Sequence, residues 1–145
     1  MRVVIQRVSH ASVTIGGSLK SSIGQGLLIL LGVCDEDSVE DVEWLVKKIA
    51  NLRIFNDKNE VMNRSIIDVN GEALVVSQFT LYANVKSRRP GFSDAARPDI
   101  AIPLYERVIT ECRTRGFNVK TGRFGADMQV ESVNDGPVTI IIDSP

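Results

Sequence analysis

The chain has 145 residues, of which 43% are hydrophobic and 24% charged, and its formal net charge is −1 at pH 7. This composition predicts one folded globular domain and excludes a disordered or fibrous chain. The charge excludes the overall basic footprint of proteins that grip long nucleic acids, so RNA recognition would rest on local clusters and a pocket. Residues 26–33, the longest apolar run, are too few to span a bilayer. We expect no signal peptide, no membrane partner and a cytoplasmic location.

The first quarter of the chain predicts antiparallel strands. Residues 2–8 are rich in β-branched side chains, and residues 11–15 alternate before Gly16-Gly17, a two-residue hairpin turn. After a return strand over residues 18–23, the continuous apolar run 26–33 predicts a strand buried on both faces.

Ser38 is expected to cap the first helix, because Asp41 follows three residues later in a capping-box arrangement. The apolar residues of this helix share one face at helical spacing: Val39, Val42, Leu45, Val46 and Ile49. Trp44 falls off that face, which leaves edge-of-core packing or a subunit boundary as its place.

The middle of the chain predicts a short strand at 52–55 and a strand at 73–77, entered by an Asn70-Gly71 turn. Residues 65–68 fit neither a helix nor a strand clearly. A loop then covers residues 83–92 and carries basic side chains.

The second helix is predicted from an apolar face, and Gly116 is expected to end it. Pro103 lacks an N–H group, so it predicts a helix start or a kink. Strands are expected at 117–121, 128–133 and 138–142. Together these elements predict a single domain over residues 1–145 with an α+β fold: a mainly antiparallel, barrel-like sheet and two main helices.

A polar segment at the end of a buried strand is the first candidate site. Ser77, Gln78 and Thr80 follow the apolar run 73–76, and Phe79 lies among them. Polar groups at the end of a rigid strand are a common way to build a site. The alternative is that these hydroxyls only bond to nearby backbone.

Familiar catalytic groups are scarce. His10 is the one histidine, no cluster has metal-ligand spacing, and no cofactor fingerprint is present, so we expect no metal and no cofactor. Cys34 and Cys112 are predicted to be packing residues. Backbone N–H groups near Phe79 and Thr80 can stabilise an oxyanion. Thr80 can position water, whereas direct attack needs a base that the sequence does not offer.

Two hexamers together carry a family resemblance. Ser77-Gln78-Phe79-Thr80-Leu81-Tyr82 and Asn134-Asp135-Gly136-Pro137-Val138-Thr139 resemble the signature motifs of D-aminoacyl-tRNA deacylases. The resemblance extends over the whole chain and includes the segments 1–8, 51–55 and 121–130.

The resemblance implies a hydrolase that breaks the ester bond of D-aminoacyl-tRNA, and of glycyl-tRNA mischarged on tRNA-Ala. It implies a homodimer in which a cis Gly136–Pro137 bond reaches the partner subunit's site and rejects L-amino acids by sterics, with the terminal ribose assisting hydrolysis. The catalytic candidates are Ser77, Gln78, Phe79 and Thr80. The candidates for binding the 3′ end of aminoacyl-tRNA are Phe124, Met128, Gly136, Pro137, Val138 and Thr139.

The residues alone leave alternatives open. Gly136-Pro137 also fits an ordinary trans turn, and Phe124 fits either a core position or a surface that stacks the terminal adenine. One alternative function is a Thr80-nucleophile hydrolase of another small ester. Another is a non-enzymatic module that binds RNA ends through Phe124 and Arg88-Arg89. The loop 83–92 and Pro103 depart from the family pattern, which leaves the RNA contacts of that loop open.

Overall fold

The computed structural model describes all 145 residues. In chain order the elements are β1 (Arg2–Ile15), β2 (Ser18–Ile23), β3 (Gly26–Gly32), α1 (Val39–Asn51), β4 (Phe55–Asn56), β5 (Met62–Arg64), β6 (Glu72–Ser77), the 3₁₀ turn η1 (Phe79–Tyr82), α2 (Pro98–Thr114), β7 (Asn118–Thr121) and β8 (Gln129–Asp143). No helix is both long and apolar enough to cross a membrane.

The main sheet has the strand order β2-β1-β3-β6-β7, and β8 pairs with β1. β1 is antiparallel to β2, β3 and β8, whereas β6 is parallel to both β3 and β7. Parallel neighbours need a crossover connection, and these two crossovers contain α1 and α2. Ser21 Oγ donates to Thr121 O at 2.6 Å, and Lys120 Nζ donates to Ser22 O at 2.7 Å. These bonds join β2 to β7 and nearly close the predicted barrel.

Both helices bury the predicted apolar faces against the sheet. On α1 the buried residues include Val42, Leu45, Val46 and Ile49, and on α2 they include Leu104, Tyr105, Val108, Ile109 and Cys112. Val39 is the exception, because it lies exposed in the first turn of α1. The predicted cap is confirmed, since the Ser38 N–H donates to Asp41 Oδ2 at 2.9 Å. Trp44 is half-buried and packs against the core.

Several predicted boundaries were wrong. α2 begins at Pro98, and Pro103 lies inside it. Pro98 suits the first helical position because its fixed φ is already helical. The runs 128–133 and 138–142 form one strand, β8, because both pair with β1 across register shifts between Gln6 and His10. The short strand covers 55–56, not 52–55, and residues 65–68 lie in a coil-and-turn segment.

Candidate active site

The first motif, residues 77–82, begins where β6 passes from the buried core to the surface. Residues 73–76 are buried between β3 and β7, whereas Ser77 and Gln78 are half-buried and Thr80 is exposed. The Gln78 N–H extends the pairing with β3 by donating to Leu31 O at 2.7 Å. The chain then turns into η1, so the predicted change from a strand to another conformation is confirmed.

Contacts with β3 and with a side chain of β1 hold the turn η1 in place. A Cβ at Gly32 would lie 3.1 Å from Tyr82 Cδ2 and 3.2 Å from Gln78 O, so the turn packs closely against a glycine of β3. From the neighbouring strand β1, Arg2 Nη1 donates to Leu81 O at 3.0 Å, and its guanidinium lies 5.1 Å from the centre of the Tyr82 ring. The backbone that follows Ser77 is therefore fixed by packing and by a charged donor.

A cavity of about 240 Å³ lies beside this backbone. Residues 76–79 form one wall, and the opposite wall comes from the segment after β7, including Phe124, Ala126, Met128 and Val130. The structure thus brings Ser77, Gln78 and Phe79 together with Phe124 and Met128. Sequence reasoning missed four further lining residues, which come from the end of β6, from the loop after β7 and from the start of β8: Val76, Gly125, Ala126 and Val130.

Tyr105 of α2 packs against the wall of this cavity. Its ring centre lies 5.8 Å from that of Phe124, and its hydroxyl donates to Val75 O at 3.3 Å. Burial raises the pKa of Tyr105 to about 12, so the hydroxyl stays protonated and remains a donor. Phe124 is half-buried, packs against the core and also lines the cavity, while its stacking on an adenine stays a prediction.

The chemistry available at the cavity comes from amides and the main chain. The side-chain hydrogen bond to Thr80 Oγ1 comes from Gln78 Nε2, and an amide is not a base. The first N–H groups of a helical turn have no partner within the turn, which leaves those of Phe79 and Thr80 as donors. Neither thiol is activated, because burial raises the pKa of Cys34 and raises that of Cys112 to about 12.

The second motif lies on β8, and hydrogen bonds within the motif fix its conformation. The Gly136–Pro137 peptide bond is cis, as the family resemblance implies. Asn134 Oδ1 accepts from the Val138 N–H at 3.0 Å, and Asn134 Nδ2 donates to Thr139 Oγ1 at 3.0 Å. Gly136 and Pro137 are nevertheless exposed to solvent. We call residues 134–139 the corner.

Arg7 holds the corner from inside. The residue is only 8% exposed, its Nε donates to Asp135 O at 2.9 Å, and its Nη1 donates to Ile54 O at 2.7 Å. Sequence reasoning did not single out Arg7. Its position was detectable, because strand alternation puts Arg7 on the same buried face as Val3 and Ile5.

The corner does not line the cavity of its own chain, whose walls come from residues 76–79 and 124–130. The candidates Gly136, Pro137, Val138 and Thr139 are therefore separate from the first motif within one chain. Thr80 lies beside the cavity and is tied to it through Gln78. No group of three or more His, Cys, Asp or Glu side chains is arranged to hold a metal ion.

The fold and the site define a small α+β protein with a mainly apolar cavity at the end of a strand that has neighbours on both sides. A family profile described as D-Tyr-tRNA(Tyr) deacylase matches residues 4–143. A D-aminoacyl-tRNA deacylase of Parabacteroides distasonis is 61% identical over 99% of this chain and 97% of its own. One of Chloroflexus aurantiacus is 59% identical over 99% of this chain and 91% of its own.

Two of the solved structures that share the fold illustrate the similarity. One, described as a c-Myc DNA unwinding element binding protein, superposes with a TM-score of 0.94 at 43% identity and covers 100% of this chain and 99% of its own. The other, described as a probable eukaryotic D-amino acid tRNA deacylase, gives a TM-score of 0.83 at 20% identity, over 97% of each chain. The chain belongs to the D-Tyr-tRNA(Tyr) deacylase family. It is a hydrolase of the ester bond in D-aminoacyl-tRNA, as the two motifs predict.

Proposed function

We propose that the enzyme works as a homodimer in which the corner of one subunit enters the cavity of its partner. The observation that carries this proposal is the contrast between the bracing of the corner and its exposure. Arg7 and Asn134 each fix its backbone with a hydrogen bond, to Asp135 O and to the Val138 N–H, yet Gly136 and Pro137 are exposed to solvent and do not line the cavity beside residues 76–79. A rigid, outward-facing segment of this kind suits insertion into a second molecule.

The edge strand supports a second copy as the partner. β8 pairs with β1 and has no other neighbour in the sheet, which leaves a row of backbone groups unpaired. Ile141 is 66% exposed and Val133 46% exposed on this strand. Exposed apolar side chains along a free strand edge favour pairing with another chain. A twofold contact would repeat the same corner-to-cavity insertion at both sites.

In this arrangement the corner acts as a steric filter. Gly136, Pro137, Val138 and Thr139 would occupy the space that an L side chain needs, while a D side chain points elsewhere. Glycine has no side chain to clash, so glycyl-tRNA is proposed as a second substrate. The filter needs backbone fixed to within a fraction of an ångström, which the hydrogen bonds of Arg7 and Asn134 are placed to supply.

The proposed hydrolysis uses positioned water and main-chain donors. Phe124 stacks on the terminal adenine, with Met128 beside it, and Ser77 and Gln78 orient the aminoacyl group. Water adds to the ester carbonyl carbon, and the N–H groups of Phe79 and Thr80 stabilise the oxyanion. The carbon–oxygen bond to the ribose then breaks, which releases the free amino acid and tRNA with its terminal hydroxyl restored. The ribose hydroxyl that neighbours the ester assists the proton transfer. The proposed location is the cytoplasm.

The test is a deacylation assay with D-tyrosyl-, glycyl- and L-tyrosyl-tRNA, combined with a measurement of mass in solution. We expect a dimer that cleaves the D and glycyl esters and spares the L ester. Equal cleavage of the D and L esters, or a monomer with full selectivity, would contradict the proposal. Mass spectrometry of quenched turnover should show no acyl group on Thr80, whereas a trapped acyl-threonine would favour the alternative nucleophilic mechanism.

A further inference from the structure

The loop between η1 and α2 forms an ordered arm. The Asn84 N–H donates to Gly91 O at 2.7 Å and the Gly91 N–H donates to Asn84 O at 2.8 Å, which closes residues 84–91 as a small hairpin. Inside it the Lys86 N–H donates to Asn84 Oδ1 at 3.0 Å, and Ser87 Oγ donates to Arg89 O at 2.8 Å. We call residues 84–91 the basic arm.

The base of the basic arm is fixed to the cavity. Phe92, the next residue, packs edge-on against Phe79 with ring centres 5.0 Å apart. Phe79 lines the cavity and is 53% exposed. Arg88 is four positions after Asn84 in the chain, so the tip of the arm lies within about 14 Å of its closed base. The arm therefore stands at the rim of the cavity that receives the 3′ end of the substrate.

The charge of the basic arm is unneutralised. Lys86, Arg88 and Arg89 are exposed, and none lies in an ion pair with a carboxylate. Of the 17 Lys and Arg side chains only Arg2, Arg7, Arg107 and Lys120 pair with a carboxylate, so a free cation is ordinary in this chain. The basic arm differs in carrying three free cations on one ordered hairpin at the rim of the cavity. Three free positive charges this close together favour the binding of a polyanion.

We infer that the basic arm binds the backbone phosphates of the tRNA acceptor end and so holds the terminal nucleotide over the cavity. This inference rests on the proposed function. Arg and Lys contacts to phosphate position a nucleic acid without reading its sequence. The arm thus supplies affinity that is independent of tRNA species and of the amino acid, and the cavity with the corner supplies the discrimination between D and L. The two tasks fall on different parts of the same surface.

The triple variant Lys86→Gln/Arg88→Gln/Arg89→Gln tests the inference. With D-tyrosyl-tRNA at low salt we expect KM to rise about tenfold or more while kcat stays within twofold, because only a phosphate contact is lost. The slope of log(kcat/KM) against log[salt] should become shallower by about 2, as three single-strand phosphate contacts require. With D-tyrosyl-adenosine, which has no phosphate, the variant should match the native enzyme.

A second triple variant provides the matched control. Lys47→Gln/Lys58→Gln/Arg115→Gln removes the same charge from α1, from the β4–β5 turn and from the residue that follows α2. This control should leave KM for D-tyrosyl-tRNA within about threefold of the native value. An equal rise in KM in both triples, an unchanged KM in the arm variant, or a matching defect on D-tyrosyl-adenosine would overturn the inference.

Filter binding of uncharged tRNA separates this inference from the proposed function. If the native enzyme bound tRNA and the arm variant bound it about tenfold more weakly, the arm would be upheld even in an enzyme that failed the D-versus-L assay. If the native enzyme showed the expected chirality but the arm variant bound tRNA as tightly as the native protein, the inference would fail and the proposed function would stand.

Discussion

The two sequence motifs are built in opposite ways. Residues 77–82 follow a central strand that has neighbours on both sides, and they pack against Gly32 and Arg2 to form the wall of a cavity. The corner, residues 134–139, lies on an edge strand and faces solvent, although Arg7 braces it from within. The first motif therefore forms part of a cavity within its own chain. The corner is rigid, but it lines no part of that cavity.

This difference separates two requirements of the reaction. Positioning water and an ester needs fixed donors beside a cavity, which the strand end provides. In the proposed dimer, the corner of the partner subunit would enter that cavity as a fixed obstacle to an L side chain. Hydrogen bonds to Arg7 and Asn134 make the corner stiff before any partner arrives, so its insertion would cost little further ordering.

The largest effect is expected from Gly136→Ala. Gly136 has φ +132°, and a Cβ there would lie 2.9 Å from both Arg7 Nη2 and Val138 Cγ2. The corner must shift, so we expect the free energy of unfolding to fall by about 1–3 kcal/mol. kcat/KM for D-tyrosyl-tRNA should fall about 100-fold, the loss typical of a misplacement of about 1 Å.

The control for this variant is Gly24→Ala. A Cβ at Gly24 meets no atom within 4 Å, and its φ lies outside the left-handed range. Its stability should stay within about 0.5 kcal/mol of the native protein in urea unfolding. A Gly136→Ala enzyme with native selectivity and native kcat/KM would show that the corner takes no part in the reaction.

A smaller effect is expected from Phe124→Leu. Leucine keeps an apolar wall against Tyr105 but cannot stack on an adenine, so KM for D-tyrosyl-tRNA should rise roughly tenfold, within the range of 1–3 kcal/mol for a lost stack. Phe124→Tyr should stay near the native KM because it keeps the ring. Equal kinetics for the leucine and tyrosine variants would mean that Phe124 serves packing alone.

The smallest effect is expected from Thr80→Ala. Its hydroxyl is tied to the Gln78 amide and has no base beside it, so its loss removes a positioning contact and spares the main-chain donors. We expect kcat to fall less than about tenfold, the scale of one neutral hydrogen bond. A folded variant that still binds tRNA but has lost all activity would contradict this prediction and show that the hydroxyl is required.

Local patterns in the sequence predicted the start of α1 and the end of β6 well. Ser38 with Asp41 predicted the start of α1 to within one residue, and the apolar run followed by Ser77 and Gln78 predicted a strand that ends at Ser77. These features depend on side chains within a few residues of one another. The family resemblance supplied the function, which composition and spacing left open.

The corner and the pairing of the strands were harder to predict, because both depend on segments that are distant in the chain. β8 appeared as two strands, since Gly136 and Pro137 interrupt its pattern, and only pairing with the long β1 joins them. The parallel pairing of β6 depends on crossovers that local alternation does not encode. Arg7 was overlooked because its partners, Ile54 O and Asp135 O, are backbone atoms far away in the chain.

The central claim, that the two motifs act across subunits, can be tested with a heterodimer. Ala126→Trp fills the cavity and leaves the corner intact, while Gly136→Ala disturbs the corner and leaves the cavity intact. Each variant alone should keep no more than about one hundredth of the native kcat/KM on D-tyrosyl-tRNA, the loss expected above for Gly136→Ala. Differently tagged variants, co-expressed and purified as a heterodimer, combine one intact cavity with one intact corner from the other subunit. We expect about half of the native activity per dimer, because one of the two sites is whole. A heterodimer as inactive as either parent would contradict the account, because each subunit would then be using its own corner.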